Sequence, residues 1–185
     1  MITLILVITN ITVYLILAYK SSNILRIDME YMKLLGISKH ALLSGHYYQL
    51  LTSFFVHFDL PHLGYNMVFL SIFGSKAEEL YGRKVFLAIY FASGVLSSLV
   101  CFIYPENTIS AGASGAIFGT LGAVLIAQRN VYPQGVYTSL YYAAVFLILS
   151  AVTGFLAHLI GLIFGFLLGY IITRNWYEEE VEKSF

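Results

Sequence analysis

Six apolar runs divide this chain, and they constrain its fold more than any other feature of the sequence. Hydrophobic residues make up 59% of the 185 residues and charged residues 11%, whereas a soluble domain carries roughly 25% charged residues. A chain so poor in charge cannot cover a water-facing surface. We therefore predict an all-α, polytopic membrane protein, a bundle in which each run is a transmembrane helix of about 20 residues. The runs lie at about 1–19, 60–75, 85–104, 114–128, 137–153 and 155–173.

The connections between the runs are short, apart from residues 20–59. That long segment mixes polar and apolar residues in the stretches DMEYMKLLG and HYYQLLTSFF, so we expect it to lie at the membrane interface.

The first run lacks a preceding basic region and a good cleavage site, so we interpret it as a retained span rather than a secretion signal. The charged tail, 174–185, is expected to be solvated. The prediction is a single membrane domain over 1–185.

The distribution of lysine and arginine favours a cytoplasmic N-terminus. The short outer links 105–113 and 151–154 then carry no basic residue, although the long outer segment carries four. Short loops dominate the positive-inside rule, so we expect this orientation in the cell membrane. The inner side carries Lys76, Arg83, Lys84, Arg129, Arg174 and Lys183.

The net charge is zero, which gives no electrostatic reason to expect a nucleic-acid partner. The chain has a single cysteine, Cys101, which excludes an internal disulfide.

Four polar residues lie near the beginnings of the even-numbered runs. His62 and Asn66 are in the second run, Ser114 begins the fourth, and His158 is in the sixth. A charged side chain within a span costs about 2.5–3.5 kcal/mol on insertion scales, so such residues are rare and tend to be functional. Even-numbered spans cross the membrane in the same direction. The four residues are therefore expected at a similar depth, close to the outer surface.

Glycines at four-residue spacing follow both Ser114 and His158. Small residues at this spacing let helix backbones approach closely, so a crossing of the fourth and sixth spans brings the Ser114 hydroxyl near the His158 ring. A serine becomes a nucleophile when a base such as histidine takes its proton. The outer halves of the spans contain no carboxylate, so we predict a dyad. The glycines are Gly115, Gly119, Gly161, Gly165 and Gly169.

An acyl-transfer site also needs hydrogen-bond donors for the oxyanion. The candidates are the side chains of His62 and Asn66 and the backbone amide of Ser114. Each residue also has a structural interpretation, since a serine between glycines commonly serves packing and a membrane asparagine commonly joins helices. His57, just before the second run, is interpreted as structural.

Three motifs lie on the second, fourth and sixth runs, and in chain order they are HLGYN at 62–66, GASG at 112–115 and AHLIGLIFG at 157–165. Together they resemble the motifs of the rhomboid family of intramembrane serine proteases. GxSG on its own is a weak signal, but three motifs on the expected spans are specific. An upstream histidine matched by His57, and a link with Glu78 and Gly82, are also similar to the family, and the likeness reaches Gly169.

The resemblance implies that Ser114 is the nucleophile and His158 the general base, with His62, Asn66 and the Ser114 amide stabilising the oxyanion. It implies the basic six-span prokaryotic form and substrates that are transmembrane proteins, cut near the outer end of a helix. No metal or cofactor is expected. By family analogy the substrate enters beside the fifth span, where the candidate gate and lid residues are Tyr141, Tyr142, Phe146 and the link 151–154.

Two positions depart from the family pattern. Tyr48 and Gln49 stand where many members have a Trp-Arg pair, and Phe118 stands where many have a tyrosine beneath the histidine ring. Neither departure removes a reacting group, so we predict an active enzyme. One alternative is an inactive relative that binds membrane helices. The other is a zinc enzyme with His57, His62 and His158 as ligands, although a five-residue spacing is poor for two helical ligands.

Overall fold

The computed structural model describes residues 1–131, 137–138, 140–141, 144–146, 148 and 154–182, and this part of the chain is all-helical, without a β-strand. Helix α1 is followed by three short helices, and α5 continues through a π-helical turn into α6, which ends in a 3-10 turn. The bounds are α1 Ile2–Lys20, α2 Met29–Leu35, α3 Lys39–Leu43, α4 Gln49–Thr52, α5 Leu60–Phe69, the π turn Leu70–Gly74, α6 Ser75–Ser98, the 3-10 turn Leu99–Phe102, α7 Ser114–Val131 and α8 Phe155–Glu182.

Three helices in the described ranges are long and apolar enough to cross a membrane. They are Ile2–Lys20, Leu60–Phe102 and Phe155–Arg174, and Ser114–Gln128 is a shorter apolar helix. Five of the six apolar runs are thus helical. The fifth run, 137–153, lies partly outside the described residues, and its described members up to 148 are helical. Helix α8 extends to Glu182, so the charged tail begins as a continuation of this helix.

Gly82 breaks the helical trace between the second and third runs. Its backbone angles, φ 73° and ψ 167°, are not helical, and a positive φ strains residues that carry a Cβ. Beyond the break, α6 runs antiparallel to α7, because Ser93 lies against Gly119 and Ser97 lies against Gly115. A single glycine therefore separates the two segments that the sequence predicts as distinct spans.

Helix α7 occupies the centre of the bundle, between α6 and α8. The side chains of residues 114–128 are almost completely buried, including those of Ile117, Phe118 and Leu121. An apolar helix buried on every side cannot be the lipid-facing surface of the protein. The first residue of this helix, Ser114, is consequently held inside the fold.

The carboxylate of Glu78 anchors the start of α1. It accepts hydrogen bonds from the backbone amides of Ile2 at 2.9 Å and Thr3 at 3.0 Å, and from the Thr3 hydroxyl at 2.9 Å. The first amides of a helix have no partner within the helix, and a negative charge there also interacts favourably with the helix dipole. Glu78 thus joins α1 to α6 through groups that would otherwise lack partners.

Replacing Glu78 with alanine is expected to lower the free energy of unfolding by about 1–3 kcal/mol, because it leaves the α1 amides without an acceptor. Thermal unfolding in detergent measures this loss. Glu79→Ala is the matched control, since Glu79 is 63% exposed and pairs with Lys76 on the surface, where an ion pair contributes at most about 1 kcal/mol. Equal unfolding temperatures for the two variants would contradict the anchoring role.

Candidate active site

Ser114 stands at the first residue of α7, at the end of a loop that passes close to His62. The loop residue Gly112 has a φ of 117°, and a Cβ at this position would lie 2.7 Å from His62 Nε2. The Gly112 amide donates to the Ser53 carbonyl at 2.8 Å. Glycine is required here both for the backbone conformation and for the approach to the ring, which fixes the entry of the chain into α7.

His158, in the first turns of α8, is in direct contact with Ser114. Its Nε2 lies 2.8 Å from Ser114 Oγ, within the range of a hydrogen bond from a hydroxyl. The two residues are only 5% and 8% exposed. The neutral imidazole with Nε2 unprotonated accepts the hydroxyl hydrogen, and this is the arrangement that a general base needs to activate a serine.

The crossing of α7 and α8 explains why these two side chains meet. A Cβ at Gly161 would collide with the Gly115 carbonyl oxygen, and one at Gly165 with that of Gly119. Both pairs advance by four residues in the same direction, so the helices run parallel with their backbones in contact. Ser114 and His158 precede the first of these contacts on their respective helices, and the close packing continues below the dyad.

His62 lines a cavity beside the dyad, whereas Asn66 is not among the residues that line this cavity. The His62 amide donates to Asp59 Oδ1 at 2.7 Å, which caps α5. Asn66 is fully buried, its Nδ2 donates to the His62 carbonyl at 2.8 Å, and its Oδ1 has no partner in the described part of the fold. Because the amide group carries two hydrogens, Asn66 retains one further hydrogen to donate.

His57 supports the loop that carries the serine. The ring is completely buried, and Nε2 lies 3.4 Å from the Ala113 amide, which donates to it. It also packs edge-on against His62, with ring centroids 5.0 Å apart. Nδ1 has no partner among the described residues. These contacts fit the structural role expected of His57. Within the described ranges, no three His, Cys, Asp or Glu side chains are placed to hold a metal ion.

A cavity of about 730 Å³ opens beside the dyad. Its lining includes Ser114, His158 and His62, together with Cys101 of the 3-10 turn, Arg26 and Asp59. One wall is the loop that precedes α7, and an isolated β-bridge between Ile37 and Ser110 ties this loop to the segment 20–59. The cavity is therefore within the size range of ligand-binding pockets, and Ser114 is part of its lining.

Gln49 joins two short helices, α2 and α4, of the long segment 20–59. It is one of the two residues that stand in place of the Trp-Arg pair. It is 1% exposed, and its Nε2 donates to the carbonyls of Lys33 at 2.9 Å and Leu34 at 3.1 Å. The neighbouring Tyr48 hydroxyl also donates to the Leu34 carbonyl, at 3.1 Å. Three side-chain hydrogen bonds, two from the Gln49 amide and one from the Tyr48 hydroxyl, thus join the start of α4 to α2.

Two residues near the dyad make contacts that the sequence does not predict. The Ser97 hydroxyl donates to the Ala157 carbonyl at 2.9 Å, immediately before the histidine. Phe146 stacks on Phe118, the residue beneath the His158 ring. The four-residue spacing of Ser93 and Ser97 is a signal that could have indicated the first contact. The sequence analysis places Phe146 only at a candidate gate, and nothing local in the sequence indicates which ring this side chain contacts.

Comparison with known proteins identifies a matching family model and several relatives of this chain. The family model for the rhomboid domain matches residues 44–175. Rhomboid protease GluP of Bacillus subtilis (strain 168) is 33% identical over 150 residues, which is 75% of this chain and 29% of GluP. The putative rhomboid protease YdcA of the same organism is 29% identical over 140 residues, 71% of this chain and 70% of YdcA. RHOMBOID-like protein 5 of Arabidopsis thaliana is 31% identical over 151 residues, 76% and 48% of the two chains. The match thus spans less than a third of GluP and about half of the Arabidopsis protein.

Proposed function

The chain belongs to the rhomboid family of intramembrane proteases, and on this premise we propose that it is a serine endopeptidase that uses a Ser-His dyad. Its substrates are membrane proteins, cut in or near a transmembrane segment. The observation that carries the proposal is the 2.8 Å contact between Ser114 Oγ and His158 Nε2 beside the large cavity.

In the proposed reaction, His158 Nε2 takes the hydroxyl proton as Ser114 Oγ attacks the carbonyl carbon of the scissile peptide bond. The negative charge that develops on the carbonyl oxygen is stabilised by the Ser114 amide and by side-chain N–H groups of His62 and Asn66. The imidazolium then gives its proton to the leaving amine. Water hydrolyses the resulting acyl-enzyme, with His158 again acting as the base.

The dyad lacks a carboxylate in the described part of the chain, since no Asp or Glu hydrogen-bonds to His158. In serine proteases with a triad, disabling the aspartate that orients the histidine lowers turnover about 10⁴-fold. We therefore expect a slow enzyme. The histidine is oriented here by the Ser114 hydroxyl and by the Phe118 ring, which lies 4.7 Å away between centroids.

The architecture we propose around this site is a single six-span domain with a cytoplasmic N-terminus in the cell membrane. The segment 20–59 then lies in the outer interface. Its exposed apolar side chains support this position, because aromatic and apolar groups at the surface of such a segment can enter the headgroup region. They include Leu25, Leu34, Leu43, Tyr47 and Leu51.

The proposed route of substrate entry is the space between α5 and the segment that connects α7 to α8. Tyr141, which is 66% exposed, and Phe146, which is buried, flank this route. Tyr142 and residues 151–153 of the candidate lid lie outside the described residues. A transmembrane substrate with small or helix-destabilising residues near its outer end is expected to unwind there and extend into the cavity.

Reconstitution of the purified chain in liposomes with such a transmembrane substrate tests the proposed function. We expect cleavage near the outer end of the substrate helix, with inhibition by serine-reactive reagents and not by chelators. Inhibition by a chelator alone would favour the zinc enzyme. Stable binding of the intact substrate, without cleavage or reaction with serine reagents, would favour the inactive relative.

A further inference from the structure

The hydroxyl of Ser97 joins α6 to the chain immediately before the proposed base. Its Oγ donates a hydrogen bond to the Ala157 carbonyl at 2.9 Å, and Ala157 directly precedes His158 in α8. The Ser97 side chain is buried, so water competes little for this bond. Helix α8 begins at Phe155, and the first turn of a helix has the fewest hydrogen bonds within the helix and tends to fray. A bond from another helix therefore restrains the histidine where its own helix restrains it least.

The same side chain also lies against the residue that follows the proposed nucleophile. A Cβ added at Gly115 would lie 2.7 Å from the Cβ of Ser97 and closer still to its hydroxyl, and Gly115 comes directly after Ser114 in α7. Ser97 thus contacts α7 beside the nucleophile and α8 beside the base. Protein interiors are packed densely enough that a displaced group changes the positions of its neighbours. The distance between the two reacting groups consequently depends on where α6 holds these helices.

Ser93 provides a comparison one helical turn earlier on the same face of α6. It lies against Gly119, as Ser97 lies against Gly115, and its side chain is completely buried. Its hydroxyl has no hydrogen-bond partner within the described ranges. The two serines therefore share their helix, their burial and their packing on a glycine of α7. They differ in that the Ser97 hydroxyl also bonds to α8.

We propose that Ser97 is a positioning residue for the dyad, and that its bond to the Ala157 carbonyl places His158 relative to Ser114. The inference rests on the proposed function, and it gives α6 a part in the reaction although this helix supplies no reacting group. Stacking on Phe118 restrains the plane of the imidazole, whereas the Ser97 bond restrains the backbone that carries it. This second restraint has a larger part in a dyad, because no carboxylate in the described residues orients the histidine.

The test compares Ser97→Ala with Ser93→Ala in the whole chain reconstituted in liposomes. Misplacement of a catalytic group by about 1 Å can cost about 100-fold in rate, and because one restraint of several is lost we expect Ser97→Ala to lower kcat about tenfold. KM should stay within about twofold of wild type, since the interaction lost does not contribute to substrate binding. The rate of covalent labelling by a fluorophosphonate should fall by the same factor as kcat. Ser93→Ala removes a hydroxyl that has no partner and should leave both rates within about twofold of wild type.

A residue that only lines the cavity gives a different pattern. Ser97 belongs to the cavity lining, so a role in substrate contact alone would raise KM in Ser97→Ala and leave kcat and the labelling rate unchanged. That result would overturn the inference. Equal losses in Ser97→Ala and Ser93→Ala would also overturn it, because the two serines share their packing and not the hydrogen bond.

Ser97→Cys is the conservative variant, and it also serves if Ser97→Ala does not fold. Its thiol has a similar shape to the hydroxyl but is a weaker hydrogen-bond donor. We expect Ser97→Cys to cleave more slowly than the wild type and faster than Ser97→Ala. A rate outside this range contradicts the role of the hydrogen bond.

The imidazole NMR signals of His158 provide a readout that does not depend on activity. We expect them to shift or broaden in Ser97→Ala and to keep their wild-type positions in Ser93→Ala. Unchanged signals in Ser97→Ala would refute the positioning role. If the wild type neither cleaves a substrate nor reacts with the fluorophosphonate, the proposed function fails, and this comparison still decides whether Ser97 places the histidine.

Discussion

Ser114→Ala and His158→Ala are each expected to abolish cleavage of a transmembrane substrate. Removal of the hydroxyl eliminates the nucleophile, and removal of the imidazole leaves a hydroxyl that is a poor nucleophile at neutral pH. Residues that act as a unit give non-additive losses. We expect each single variant to lose at least about 10⁴-fold in rate, and the double variant to be no slower than either, in a cleavage assay on reconstituted protein.

Two substitutions elsewhere control for general damage to the fold. Ser71→Ala removes an exposed hydroxyl that bonds only locally, to the Met67 carbonyl at 2.8 Å. His46→Ala removes an exposed histidine outside the cavity. Both should retain rates close to that of the wild type. Appreciable cleavage by Ser114→Ala or by His158→Ala, in protein free of contaminating protease, would contradict the dyad.

Gly165→Val is expected to inactivate the enzyme without altering any reacting group. A Cβ at this position collides with the backbone carbonyl of Gly119, and a backbone atom cannot turn aside as the end of a flexible side chain can. The helices must separate or tilt, which costs about 1–3 kcal/mol for an overpacked interface. Separation of α7 and α8 also moves Ser114 away from His158, so we expect a loss of at least about 100-fold in cleavage rate.

The outward face of the same helix offers the matched control for this prediction. Leu167 is 55% exposed, and Leu167→Val changes a side chain of α8 without touching the crossing. It should preserve both the cleavage rate and the unfolding temperature. Gly165→Ala, with a smaller added group, should be impaired less than Gly165→Val. Full activity of Gly165→Val would show that the close crossing is not needed to assemble the dyad.

The helix crossing could be predicted from the sequence because its signal is local and periodic. Gly115 and Gly119 on one helix, and Gly161 and Gly165 on the other, repeat every four residues, which is the spacing that places them on one helix face. The orientation of the two helices follows from the order of the spans. The contact between Ser114 and His158 is therefore inferred from the glycine pattern and observed as a hydrogen bond.

Contacts that leave no periodic signal in the sequence could not be predicted in the same way. Glu78 binds the first turn of α1 across more than seventy residues, and its carboxylate alone does not indicate which helix it caps. Asn66 donates to the His62 carbonyl four residues earlier in α5, a local bond that the HxxxN spacing permits but does not require. Phe146 is one of many aromatic residues, and only the folded chain identifies the rings on which it stacks.

The most direct test of the Ser114–His158 mechanism is covalent labelling of the purified chain with a fluorophosphonate, followed by mapping of the modified residue by mass spectrometry. We predict a stoichiometric adduct on Ser114 in the wild type, and little or no labelling in Ser114→Ala or His158→Ala. An adduct on another residue, or labelling of Ser114 that persists at the wild-type rate in His158→Ala, would contradict it.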